Sequence, residues 1–232
     1  DHGHFYGTFD GQGHSISNLR CEVASEGTFG IEGEIGSMGG AALFGAIGTG
    51  AVVRNLTLES TCTFHNSEGR AAAFVAYCGH RGDPEAAEVT LENLVNRATV
   101  TGETQVSSIV ARPVAESYGL FTLVMRHCEN QADISAAKTV GGLIADALAP
   151  VEMTDCKNSG NISGGQPTGG FFGYSARNLT ILRCTNEGKV TGTAAWVGGF
   201  VGRQYSGAYT IRIAESVNSG AVTGGSTSVA GF

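Results

Sequence analysis

The sequence predicts an all-β fold, most simply a right-handed parallel β-helix (β-solenoid) of about seven to eight coils of roughly 30 residues each. Three observations predict it. Short motifs recur along the whole chain at a nearly constant spacing. Glycine supplies 36 of 232 residues and charged residues only 15%, a balance that suits strands joined by tight turns. No segment shows an apolar period of about 3.6 residues over a helix length.

The opening stretch FYGTFDGQGHSISNL, residues 5–19, reads as a turn that begins a coil. Gly7, Gly11 and Gly13 would allow the bends and Asp10 would cap one by accepting backbone N–H bonds. Phe5, Phe9, Ile16 and Leu19 would feed the first rung of the core. It is not a dinucleotide loop, because GTFDGQG lacks the G-x-G-x-x-G spacing and leads into a strand.

Next come the repeats. Five segments align without gaps: LVNRATVTG (94–102), CENQADISA (128–136), CKNSGNISG (156–164), CTNEGKVTG (184–192) and SVNSGAVTG (216–224). In a parallel solenoid equivalent residues lie above one another, so Asn96, Asn130, Asn158, Asn186 and Asn218 would form an asparagine ladder at a turn, in left-handed geometry. Two positions earlier, Leu94, Cys128, Cys156, Cys184 and Ser216 would form an inward column of small or apolar side chains, joined by Leu19 and Leu56. A second element follows each segment, as GGLIA (141–145), GGFFG (169–173) or GGFVG (198–202). Its anchors Phe44, Phe74, Ile109, Leu143, Phe171, Phe200 and Phe232 would stack inward, and the preceding Gly-Gly would allow close backbone approach. A third element is a strand such as VVRNLTL (52–58), VTLENLV (89–95) or NLTILRC (178–184). Each unit therefore holds two or three short strands and buries its apolar face only by stacking on its neighbours. SSIVARPVAESYG (107–119) replaces the Gly-Gly pattern, and a distorted rung is expected there. The whole chain reads as one solenoid domain, 1–232, a fragment of a longer repeat protein in which further coils or a partner continue the rod.

These residues carry a family resemblance. GGLIA, GGFFG and GGFVG, each followed by a strand and then CKNSGNISG or CTNEGKVTG, look like the GLUG repeat, and FYGTFDGQGHSISNL is similar to the leader that precedes such repeats. The resemblance implies a pectin-lyase-like winding and a place in large surface or secreted proteins, accessory regions of immunoglobulin-cleaving metallopeptidases among them. It carries no shared catalytic residues.

The function expected is a non-catalytic structural or adhesive module at the cell surface or outside the cell. The alternatives are a carbohydrate-active enzyme or glycan-binding module on the same fold, and an accessory region of a secreted metallopeptidase. No catalytic residue, cofactor or metal site is assigned. The acids are scattered: Asp83, Glu85 and Glu88 share one loop, and Glu152 lies near Asp155. Tyr118, Tyr174, Trp196 and Tyr205 are the aromatic side chains suited to stacking on sugars. Partners would be further coils, an adjoining chain, or a host or matrix protein or glycan. Net charge is −7 and no basic run occurs, so nucleic acid is excluded as a partner. No stretch approaches the roughly 18 apolar residues of a membrane span. The six cysteines include no C-x-x-C pair. Cys128, Cys156 and Cys184 share a register whose parallel Cβ vectors disfavour disulfides, while Cys62 and Cys78 are the one pair considered.

Overall fold

The computed structural model describes residues 3–24, 40–79, 87–115, 121–225 and 227–232, all in strands, turns or extended chain. The strands pair in parallel into four sheets, and the chain visits the four faces in the same order on every coil. One coil suffices to describe it. The first face holds Val151–Thr154 and, beyond a corner, Lys157–Asn158. Ile162–Gly164 forms the second face, Thr168–Gly169 the third and Phe172–Ser175 the fourth. Leu179–Leu182 then begins the next coil directly above the last, with Ile181 over Met153.

Among the described residues, five coils carry a strand on all four faces; they start at Val52, Glu88, Thr122, Val151 and Leu179. A partial coil lies at each end. The first has Thr8–Ile16, Arg20–Val23 and Phe44–Ile47, with Ala41 bridging Ala71, and the last lacks a strand on the fourth face. The expected seven to eight coils were too many, because anchor residues recur in the partial coils as well as in the complete ones.

The core follows from the period-two alternation within each strand, multiplied by stacking. On the first face the inward column reads Phe9, Val53, Leu91, Met125, Met153, Ile181 and Ile213. On the second it reads Cys21, Phe64, Val100, Ile134, Ile162, Val190 and Val222. The central members of both columns are fully buried. Each such side chain contributes about 1.5–3 kcal/mol by leaving water, so these columns dominate the stability. Phe74, Ile109, Leu143, Phe171 and Phe200 are buried at the corner between the third and fourth faces. Phe171 and Phe200 stack at 4.8 Å with an 18° tilt, and Phe200 and Phe232 at 5.4 Å and 4°.

Several register details differ from the sequence reading. Phe44 pairs with Val75, not Phe74, and so joins the neighbouring column of Val110, Ile144, Phe172 and Val201. The cause is a shorter corner: Ala41 sits opposite Ala71, so three steps reach Phe44 where four reach Val75. Leu19 lies beside Cys62, because Arg20 pairs with Thr63, and is therefore outside the Leu56–Leu94–Cys128 column. Gly11 lies against Leu56 there, at a bulge between Asp10 and His14 that inserts two extra residues into the first strand. Gly11 and Gly13 thus sit within Thr8–Ile16 rather than in a turn ahead of it, and Gly7 just precedes that strand. Asp10 does accept the Gln12 N–H at 2.9 Å, and also bonds Arg54 and Asn55 of the next coil.

At the start of the stretch expected to be distorted the pairing is regular, Val106 and Ser107 lying between Ala71 and Ala72 on one side and Val140 and Gly141 on the other, and residues 116–119 of that stretch lie outside the described residues. Small side chains suffice at this corner. The left-handed corner residues are not the ladder asparagines. They are Asn55, Asn93, His127, Asp155, Arg183 and Glu215, with φ between 51° and 57°. Non-glycine residues rarely adopt this backbone, yet here it recurs coil after coil, because the first face must bend before the core column continues.

A candidate binding face and the ladders behind it

The asparagines form one continuous chain of amides. Nδ2 of Asn96 donates to Oδ1 of Asn130 at 3.0 Å, and the pattern repeats from Asn130 to Asn158, Asn158 to Asn186 and Asn186 to Asn218 at 2.7–2.8 Å. Each Nδ2 also donates to the carbonyl two residues on, such as Ala132, Gly160 or Gly188. Asn96 to Asn186 are fully buried, so these bonds are made out of water, where an unmade one is costly. In the Gly-Gly motif across the core, the second glycine of each pair lies against the carbonyl oxygen of the next coil's glycine first and against these amides next, while the first glycine lies against a backbone carbonyl of its own coil. A Cβ at Gly170 would stand 2.8 Å from Cγ of Asn186, and one at Gly142 3.0 Å from Cγ of Asn158. The two repeat motifs are one packing unit.

Asn66 is a further fully buried asparagine that the repeat alignment missed. It lies over Gly102 at the end of the second face, where its Oδ1 accepts the Gly69 N–H and its Nδ2 donates to the Arg70 carbonyl. Nothing in the aligned segments marks it, since Leu58 holds the ladder position in its coil.

None of the six cysteines forms a disulfide, Cys62 and Cys78 included. Cys128, Cys156 and Cys184 stack, and the thiols of Cys156 and Cys184 lie against the backbone N–H of the cysteine in the coil before: Cys128 N to Cys156 Sγ and Cys156 N to Cys184 Sγ, both at 3.4 Å. Burial foremost, then the contact with Cys128, pushes the Cys156 thiol well up. The hydrogen bond with Cys156, then burial, does the same for Cys184. These thiols are core, not chemistry.

The outward column of the fourth face is different in kind. It reads Ala46, Tyr77, Arg112, Asp146, Tyr174 and Arg203. Arg112 Nε lies 3.3 Å from Asp146 Oδ2, and the Arg70 guanidinium stands 5.9 Å from the Tyr77 ring centre. Burial drives the Asp146 carboxyl up from its ordinary value against the pull of Arg112 and Arg70. Burial, with Arg112 beside it, brings Arg70 down to about 10. At the other end of the column the guanidinium of Arg203 stacks on Trp196, 4.0 Å from the ring centre, and lies 5.9 Å from Tyr174. Tyr205 is 51% exposed, and Arg177 stacks on Tyr209 at 5.4 Å while donating to its hydroxyl. Tyr174 and Tyr205 therefore lie at one end of the fourth face, Trp196 reaches Arg203 there from the entry to the third face, and Tyr118 lies outside the described residues. Sequence reasoning found these aromatics singly; it missed Arg203, whose only signal is its place four residues after the Gly-Gly of GGFVGR.

The scattered acids do not converge. Asp155 is held in a bidentate pair by Arg183 at 2.8 and 2.9 Å, while Glu152 stands on the first face with Thr180 and Arg212 stacked beyond it. Asp83 and Glu85 lie outside the described residues. On the second face an open groove is lined by His65, Thr101, Ser135 and Ser163, with His65 Nδ1 2.8 Å from Thr101 Oγ1.

No family model matches the chain, and no curated protein matches it. Among solved structures, the chain is similar to the crystal structure of a "putative immunoglobulin A1 protease" from Bacteroides ovatus, with a TM-score of 0.70 and 16% sequence identity. The match covers 96% of this chain and 66% of that one. At this identity the likeness establishes the winding of the chain and stops there: the protein is a parallel β-solenoid.

Proposed function

We propose that the chain is a non-catalytic structural and adhesive module: a stiff segment of a cell-surface or secreted protein of the GLUG-repeat type, with a pectin-lyase-like winding. The observation that supports this best is the constant register of the columns from Asn96 to Asn218. The amide chain from Asn96 to Asn218 ties successive coils together, so side chains on the outer faces are held at fixed intervals along a rod. In such a rod each coil contacts only its neighbours, and the outer faces can vary without disturbing the core. Further coils or an adjoining chain would meet its ends, and a host or matrix protein or glycan its side. Nucleic acid is a poor partner for a chain of net charge −7. The test is adhesion of the bead-bound segment to immobilised matrix proteins and glycans under flow, beside an assay for polysaccharide cleavage. Saturable adhesion without product supports the reading. Release of shortened chains would replace it with a carbohydrate-active enzyme.

A second reading, an accessory region of a secreted metallopeptidase, is favoured by the fold shared with the Bacteroides ovatus protein. It requires that adding or fusing the segment alters the rate at which a partner peptidase cleaves its substrate. Identical rates with and without it would remove that reading.

A further inference from the structure

We propose that the Trp196–Arg203–Tyr174 cluster is a binding site for a saccharide bearing a carboxylate. The inference rests on the adhesive reading only for its biological use, not for its chemistry.

The residue that enters the third face is Gln105, Thr139 or Pro167 in the preceding coils, as the backbone bonds to Ala71, Val106 and Val140 show. In the next coil it is Trp196, the single tryptophan of the chain. Its φ is 59°, and Ser228 at the same position of the next coil has φ 65°, so the left-handed corner is shared and the bulky aromatic side chain is what sets this coil apart. What it gains is the Arg203 guanidinium, stacked 4.0 Å from its ring centre. Neither the core nor the ladders need this contact, since both residues are only half-buried.

Stacking leaves the guanidinium edge open. Among the described residues the Arg203 side chain makes no hydrogen bond and no ion pair, whereas Arg54, Arg97, Arg112 and Arg183 are each matched with a carboxylate. Its nearest column neighbour with negative charge, Asp146, lies one coil beyond Tyr174 and is engaged by Arg112. The planar fork is thus oriented by aromatic contact with Trp196 and keeps its in-plane donors for a ligand. That geometry suits bidentate capture of a carboxylate, and prior ordering lowers the entropy lost on binding. The exposed ring of Tyr205 lies two residues further along and offers a flat apolar surface with a polar tip, which suits the mixed C–H and hydroxyl surface of a pyranose. The chain's net charge of −7 gives an anion no general attraction, so recognition must come from this local fork.

The intrinsic fluorescence of Trp196 reads the site directly. The unmodified chain is titrated with two acidic probes, hyaluronan tetrasaccharide and sialyllactose, and with their uncharged counterparts, the methyl esters of each. The site predicts a saturable change with at least one acidic probe, and binding about tenfold or more weaker for its uncharged counterpart. Arg203→Gln should lose that response and Arg203→Lys keep part of it. Equal responses to acidic and uncharged sugars, no response to either acid, or an equal response to acetate would overturn the proposal. The sugar comparison on the unmodified chain decides the matter even if Arg203→Gln fails to fold. Adhesion under flow without a fluorescence response would sink this site and leave the adhesive reading standing; a response without adhesion would do the reverse.

Discussion

Replacing Asn158 by alanine tests the ladder where it is most enclosed. The substitution removes three hydrogen bonds: the one accepted from Asn130 at 2.8 Å, and those donated to Asn186 at 2.7 Å and to the Gly160 carbonyl at 3.0 Å. Asn130, Asn158 and Asn186 are all fully buried, so the groups left behind cannot turn to water. An unsatisfied buried donor or acceptor costs about 1–3 kcal/mol, which for three groups partly relieved by relaxation gives a loss of about 3–6 kcal/mol. Asn218→Ala at the half-buried end of the ladder removes one inter-coil bond and should cost about 1 kcal/mol. The assay is urea unfolding followed by circular dichroism, with the slope compared between variants to establish that the same transition is measured. A loss below about 1 kcal/mol for Asn158→Ala, or a loss equal to that of Asn218→Ala, would refute the ladder as a cooperative element.

Other outcomes follow from the same geometry. Gly170→Ala should cost about 2 kcal/mol or more in the same assay, because the added methyl overlaps the Gly199 carbonyl oxygen and presses on Asn186; full stability would mean that the Gly-Gly corner is not closely packed. Asp155 has its carboxyl lowered chiefly by the hydrogen bond from Arg183, so its contribution to stability is present above the unfolded value of about 3.8 and lost as pH falls through the lower folded value. Wild type and Asp155→Asn should therefore differ in urea midpoint near neutrality and converge in strong acid; a gap that persists there would contradict the pairing. Iodoacetamide should modify half-buried Cys21 first and reach Cys128, Cys156 and Cys184 only on unfolding, as peptide mapping by mass spectrometry would show.

The winding was legible because stacking copies one residue type into the same place on every coil. Asn130, Asn158 and Asn186 stand 28 residues apart, and they touch. What the sequence left unread has identifiable causes. Two-residue strands such as Thr168–Gly169 carry no periodicity, so a coil with strands on four faces looked like one with two or three. Phe44 slipped by one column because a corner one residue shorter leaves no mark in a motif alignment. The left-handed corner was assigned to the ladder asparagines on residue preference, but it falls at Asp155 and Arg183, where shape overrides preference. The binding face was the least legible part. Arg203 and Trp196 are outside the repeated motifs, and only the folded corner brings them together.

The central claim is that equivalent residues lie one rung apart along a single rod. Val217 shares a column with Glu129, Val95 and Thr57, which stand three, four and five rungs away through Thr185 and Lys157. Spin labels at Val217 and each of these in turn, in a Cys21→Ser background, measure the rise directly by electron–electron double resonance. Narrow distances that lengthen by about 4.8 Å per coil are the predicted result; distances that are broad, or that do not grow in this order, would contradict the stacked solenoid.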